Sequence, residues 1–325
     1  MRYDDVIYGA VEITEPVLID LMASRAMGRL KGVLQHGITA LIGVTEPISR
    51  FDHSVGAMVV VRQLGGDVGE QIGALLHDVS HTAFSHVIDH ALGEADTQSY
   101  HDRVKEGYVA GTDLPAVLEK HGYNWRNFVD ETGFPLLEQP SPRLCADRLD
   151  YFVRDAVALG LGTLAEVEGV WPHLIVYNGR IMVDDLDAAR WLGRTFMAAD
   201  DASWSNFWEV GLYEVTARVI RRGMEIGLFS EADFWLTDEP AWEKLKSSDD
   251  AELNKWVQLV RPDVEFVWDE AAPDFVVSPK LRTIDPDVVI RGEVRPLSQW
   301  DVGYAQARAD YLERKGRPWR MRVVG

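Results

Sequence analysis

Apolar positions recur with helical spacing through the first half of the chain. Val17, Leu18, Leu21, Met22, Met27, Leu30 and Leu34 predict helix over 15–36. Gly28 and Gly32 fall inside that stretch and predict a break in it. A second helix is predicted over 52–64, closed by Gly65-Gly66. Asp67 followed by Glu70 is a capping-box-like start for a third, carrying Ile72, Leu75 and Leu76. Further helical stretches are predicted near 98–109, 114–120 and 142–159.

The pattern changes after Gly162. Leu174-Ile175-Val176-Tyr177, Asn178-Gly179 and Arg180-Ile181-Met182-Val183 predict a β-hairpin with a type I′ turn. Helices resume at 185–198 and 204–226, and Ser230 is placed to cap a short one with Glu231 in its first turn. Beyond Pro262 the expected strands are Val264–Trp268, Phe275–Val277, Val288–Ile290 and Trp319–Val324, with a helix at 302–314 between the last two. The expected fold class is mainly α with a smaller α+β C-terminal portion. The expected division is a helical core over 1–165 and, over 166–325, the hairpin, helices and C-terminal strands packed on it.

Composition narrows the function classes. Apolar residues make up 46% and charged residues 26%, as in a globular protein. The balance of 33 basic against 52 acidic residues, a net of −19, argues against long-range attraction to nucleic acid. No apolar run approaches the roughly 18 residues of a membrane span. The acidic start, MRYDDVIYGAVEITEP, lacks the pattern of a signal peptide. The one cysteine, Cys145, rules out an intrachain disulfide and a multi-cysteine zinc site. A cytoplasmic protein with no membrane partner is expected.

Histidine placement carries the chemistry. Five of the nine histidines lie between His53 and His90, and the densest segment is ALLHDVSHTAFSHVIDH, 74–90. His77 and Asp78 directly follow an apolar run, and His81 shares a face with His77 if that helix continues. Imidazole with carboxylate suits Zn, Mn, Fe, Ni or Co better than Ca. In DRLDYFVRDA, 147–156, Asp147, Tyr151 and Asp155 form one helical stripe. A buried carboxylate there needs a partner or a metal; the plainer alternative is a surface helix with pairs such as Asp150–Arg154.

RFDHS (50–54), LLHDVSHTAFSH (75–86), YHD (100–102) and DRLDYFVRDA occur in the order seen in HD-domain phosphohydrolases. The chain resembles most the branch that hydrolyses deoxynucleoside triphosphates. GAVEIT (9–14) and RLKGVLQHG (29–37) extend the likeness, and FSEADF (229–234) and PKLRTIDP (279–286) extend it weakly. The resemblance implies an HD-domain helical bundle and one divalent transition metal, Mn, Fe, Co, Ni or Zn, with Mg as a further candidate. It implies His53, His77, Asp78 and Asp147 as ligands and His101 as catalytic histidine, oriented by Asp102. His81 and Arg50 would face the substrate phosphate, with Arg148 as a further phosphate contact. Gln35, Tyr151 and Asp155 would contact the nucleoside. His86 is expected to act as a buttress. The implied partner is a small phosphorylated substrate, a nucleotide, and a homo-oligomer is compatible with the family.

One stretch departs from that pattern. Triphosphohydrolases carry a basic, aromatic segment after the hairpin, whereas FMAADDASWSNFWEV (196–210) contains no Arg, Lys or His. If Asp200 and Asp201 line the pocket they oppose a triphosphate, so a shorter phosphate group is expected; Arg218, Arg221 and Arg222 are the alternative clamp. Trp204, Phe207 and Trp208 are expected in the core, with stacking on a base as the alternative. Two other functions stay open: a di-iron oxygenase using His81, His86 or His101 for a second metal, and a non-catalytic nucleotide-binding module.

Overall fold

The structure, a computed structural model, describes residues 1–324. It opens with an antiparallel hairpin, β1 (Arg2–Asp5) and β2 (Gly9–Glu12). The stretch expected as one helix over 15–36 is in pieces: α1 (Pro16–Met22), α2 (Arg25–Arg29) and a 3-10 turn at Leu30–Gly32. The first break falls at Ser24, ahead of both glycines. The Ser24 hydroxyl accepts from the Met27 amide at 3.2 Å and so starts a new helix.

After the short α3 (Ile38–Leu41) come α4 (Arg50–Gln63) and α5 (Val68–Leu76). Helix α4 is buried over 53–61 on every face, which makes it the central rod of the bundle. Asp67 caps α5 by accepting from the Glu70 amide at 2.9 Å. Glu70 itself accepts from the Leu136 amide instead, so the expected capping box is half formed. The bundle continues with α6 (Val87–Leu92), α7 (Tyr100–Ala110), α8 (Leu114–Lys120), α9 (Ala146–Ala158) and α10 (Leu164–Val170). Helix α4 packs against both α5 and α9.

Strands β3 (Leu174–Tyr177) and β4 (Arg180–Val183) form the expected hairpin. Asn178 and Gly179 have φ of 51° and 72°, the positive values a type I′ turn requires. Then follow α11 (Leu186–Ala199), a π-helical segment at Asp200–Trp204, α12 (Phe207–Glu225), a 3-10 turn at Glu231–Trp235, α13 (Asp238–Lys246) and α14 (Ala251–Val257). The C-terminal portion adds β5 (Glu265–Trp268), β6 (Phe275–Val277), β7 (Asp287–Ile290), β8 (Glu293–Pro296), α15 (Leu297–Trp300), α16 (Val302–Lys315) and β9 (Trp319–Val324). Two sheets result, ordered β3-β4-β7-β8 and β5-β9-β6. The fold is mainly α with a small C-terminal sheet portion, as the sequence pattern implied. No helix among the described residues is long and apolar enough to cross a membrane.

The buried apolar residues form two clusters. Val79 belongs to the one built on α1, α4, α5, α9 and α11; Ala83 and Phe84 belong to the one built on α6, α12, α13 and β9. The segment 77–86 therefore crosses from one core to the other and is anchored at both ends. Asp238 pins its far end, accepting from the Phe84 amide at 2.8 Å and the Leu34 amide at 2.9 Å. Arg29 holds its middle, donating to the Val79 and His81 carbonyls.

Candidate metal centre

His53, Asp78, His77 and Asp147 meet at one point, from α4, the end of α5 and the start of α9. His53 Nε2 lies 3.1 Å from Asp147 Oδ1 and 3.1 Å from His77 Nε2. His77 Nε2 lies 3.3 Å from Asp147 Oδ1, and Asp78 oxygens lie 3.5 and 3.6 Å from the two imidazole nitrogens. Metal–ligand bonds of about 2.0–2.2 Å at tetrahedral or octahedral angles place donor atoms roughly 2.8–3.6 Å apart, so this spacing fits a cation.

The hydrogen bonds behind the rings support the same fit. His77 Nδ1–H donates to the Ala74 carbonyl at 2.7 Å, and His53 Nδ1–H donates to Asp150 Oδ2 at 2.8 Å. Both neutral tautomers thus turn a bare Nε2 inward. Two such lone pairs 3.1 Å apart repel unless a proton or a cation lies between them. Without a cation, Asp78 and Asp147 favour a proton on the imidazoles. Burial works against a charged His77, but Asp78 and Asp147 override it and push the ring up to about 10. Burial likewise opposes ionised Asp147, yet the His53 and His77 rings beside it, once they carry that proton, hold it well below the usual carboxylate range.

The rest of the site opens beside this cluster as a cavity of about 380 Å³, lined by His81, His86, His101, Arg50, Arg148 and Tyr151 among others. His81 does not continue the helix that carries His77. Helix α5 ends at Leu76, a turn follows over 77–80, and His81 lies just beyond it with its Nε2 3.2 Å from Asp78 Oδ1. Burial and the Arg50 guanidinium push His81 down to about 3. Its ring stacks on His101, centroids 3.9 Å apart. Burial and His81 hold His101 well below its ordinary value, so both rings are neutral at pH 7. His101 Nε2 lies 3.3 Å from Asp102 Oδ1. His86 lines the cavity and pairs with Asp89 at 3.1 Å.

Gln35 and Tyr151 border a side pocket of about 90 Å³, shared with Trp204 and Tyr213, that has Arg50, His86 and Arg282 in common with the main cavity. Asp155 is buried behind that pocket. It accepts from Trp204 Nε1 at 2.6 Å and Gln35 Nε2 at 3.4 Å, and pairs with His36 Nε2 at 2.9 Å.

Asp200 and Asp201 do not line the cavity. Asp200 is buried and accepts from Tyr311, Ser205 and the Arg282 amide, while Asp201 pairs with Lys315. The electrostatic reason to expect these aspartates to repel a polyphosphate is therefore removed. Arg218, Arg221 and Arg222 lie elsewhere, bound to the Asp274 carbonyl, the His90 carbonyl and Asp250. The cavity's cations besides Arg50 and Arg148 are Lys280 and Arg282, from the loop before β7. They stand in PKLRTIDP, a segment marked only by a weak likeness. Asp150 was also unassigned. Its pair with Arg154 exists, but both side chains are buried and the pair backs His53 rather than coating a surface helix.

A helical bundle that brings two histidines and two aspartates around one point, beside a cavity lined by both cations and carboxylates, has the donor set of a metal site. The HD domain family matches residues 50–155. The metal-dependent phosphohydrolase cns2 of Cordyceps militaris is 39% identical over 299 residues, covering 90% of this chain and 86% of that protein. The uncharacterized protein YdhJ of Bacillus subtilis is 35% identical over 291 residues, covering 89% of each. A phosphohydrolase from Bacteroides thetaiotaomicron superposes with a TM-score of 0.72 over 99% of both chains at 17% identity, a likeness of fold. The chain belongs to the HD-domain superfamily of metal-dependent phosphohydrolases.

Proposed function

We propose that this chain hydrolyses a phosphoester of a nucleotide or related small molecule, releasing a single phosphate, with one divalent transition metal held by His53, His77, Asp78 and Asp147. The observation that carries the choice of leaving charge is the pair Lys280 and Arg282. Arg50 is paired with Asp78 at 2.5 Å and Arg148 with Glu138 at 3.5 Å. Lys280 and Arg282 donate to the Thr97 carbonyl and to Gln98, and neither has an ion-pair partner among the described residues. Two uncompensated cations match a phosphate dianion. Glu138 and Glu131 on the cavity wall are taken up by Arg148 and Lys105, so Lys280 and Arg282 are the cations left for the anion.

A bound ion supplies an activated water and offsets phosphate charge. The chain's own groups do the rest. Lys280, Arg282 and Arg50 hold the phosphate. Neutral His101, oriented by Asp102, takes up and returns a proton. Tyr151 and Gln35 contact the nucleoside, with Asp155 fixing Gln35 and Trp204 in place. Product identification across nucleoside mono-, di- and triphosphates with Mn²⁺, Co²⁺, Ni²⁺ and Mg²⁺ tests this. Orthophosphate is the expected product, and efficient release of inorganic triphosphate from common deoxynucleotides would refute it.

Replacing either Lys280 or Arg282 by Ala should raise KM by about 10- to 100-fold, since a hydrogen bond to a charged group is worth about 1.5–3 kcal/mol. Steady-state kinetics on the best nucleoside monophosphate measures it, and an unchanged KM would place the phosphate elsewhere. Metal binding should also compete with protons. The His77 ring keeps its proton to about pH 10 in the ion-free site, so loading an ion at lower pH expels it. Mn²⁺ affinity should therefore rise roughly tenfold per pH unit between about 6 and 8 for one proton released, as calorimetry in buffers of different ionisation enthalpy would report.

A second reading has one observation in its favour. Asp78, His81 and His101 place donor atoms within 4.8 Å of one another beside the first cluster, enough to build a two-metal centre. Two ions per chain would select it.

A further inference from the structure

His53 is held from behind by a buried chain of polar groups that ends in the N-terminal hairpin. Asp150 Oδ2 takes the His53 Nδ1–H and also accepts from Arg154 Nε, both at 2.8 Å. Asp150 Oδ1 accepts from the Tyr8 hydroxyl at 2.8 Å. Arg154 Nη2 donates to Asp5 Oδ2 at 2.7 Å. Asp5 Oδ1 accepts from the amides of Ile7 and Tyr8 at 2.8 and 3.0 Å, which fixes the carboxylate within its own turn. The side chains of Asp5 and Asp150 are fully buried and that of Arg154 is nearly so.

The packing of α4 on α9 is shaped around the same groups. A Cβ on Gly56 would sit 1.9 Å from Asp150 Oδ1 and 2.2 Å from Arg154 Nη2. Any side chain there would push the pair away from His53, one turn earlier on the same helix. Two charged groups at the back of a candidate ligand are costly to bury unless they are fully paired. Here the completing partners, Asp5 and Tyr8, come from β1 and the turn after it.

We propose that the N-terminal hairpin is a positioning element of the metal centre: Asp5 and Tyr8, acting through Arg154 and Asp150, hold the His53 ring and its inward-facing Nε2. This rests on the metal reading given above. Asp5 and Tyr8 touch no substrate. Their effect is on how well His53 is presented.

Mn²⁺ titration by calorimetry on the full chain tests this. Tyr8→Phe removes one hydroxyl and keeps the ring stacked on Trp171, 5.5 Å away. Asp5→Asn removes the charge opposite Arg154. Each should raise the Mn²⁺ Kd by about tenfold, in the range seen when groups behind a metal ligand are changed. Turnover at saturating Mn²⁺ should be largely restored, which a general loss of folding would not allow. Asp4→Asn, at the neighbouring exposed pair with Arg2, should leave the Kd unchanged. If Asp5→Asn does not fold, Tyr8→Phe decides alone. A wild-type Kd in the folded variants, or an equal loss in Asp4→Asn, overturns the proposal. Absence of Mn²⁺ binding by the wild-type chain would instead overturn the metal reading.

Discussion

Changing His77 or Asp78 to Ala should abolish metal retention and turnover together. Each removal takes one of the four converging donors and leaves charge unbalanced among the others. Without His77, the Nε2 of His53 faces two carboxylates with no second imidazole. Without Asp78, the Arg50 guanidinium 2.5 Å away loses its buried partner and adds positive charge where a cation would bind. A site that no longer holds the ion returns to ordinary water, with a pKa near 15.7 instead of about 7, so a loss beyond about 10³-fold is expected. Metal content and phosphate release measured on the same samples check it. Full turnover in a metal-free His77→Ala protein would mean that hydrolysis does not run through this cluster.

His101→Ala should keep the metal and slow the reaction by about 10²- to 10⁴-fold, the usual contribution of a positioned acid or base. The ring lies in the cavity wall, stacked on His81. It belongs to none of the close contacts among His53, His77 and Asp147. A wild-type Mn²⁺ Kd with a reduced kcat is the expected pair of results. Full activity would show that another group carries the proton, and loss of metal would favour the two-metal arrangement with Asp78 and His81.

The HD segments were legible because their chemistry and their spacing agree. A His-Asp pair at the end of an apolar helix and an Asp stripe on a second helix announce groups that need a shared partner, and the structure brings them together. The hairpin at Asn178-Gly179 was legible for a local reason, since few dipeptides accept two positive φ values. Long-range effects were not legible. Strands β1 and β2 have four residues each and only a single buried one between them, Asp5, so alternation gave no signal. Asp150 stands out in the sequence only as one half of a possible pair with Arg154, because a helical repeat cannot say that α4 lies against it with a glycine at the contact. Lys280 and Arg282 reach the cavity through the packing of the C-terminal portion, and Asp200 turns away from it because Tyr311 and Ser205 satisfy it inside the fold. Periodicity within an element says which face is apolar, not which distant element covers it.

Whether this chain hydrolyses phosphoesters through one bound ion is decided by metal content of the purified protein, from inductively coupled plasma mass spectrometry, alongside orthophosphate release from a nucleoside monophosphate. One transition-metal ion per chain is expected, with hydrolysis that is lost on chelation and restored by Mn²⁺ or a neighbouring divalent ion. Hydrolysis that persists in protein stripped of metal would contradict it.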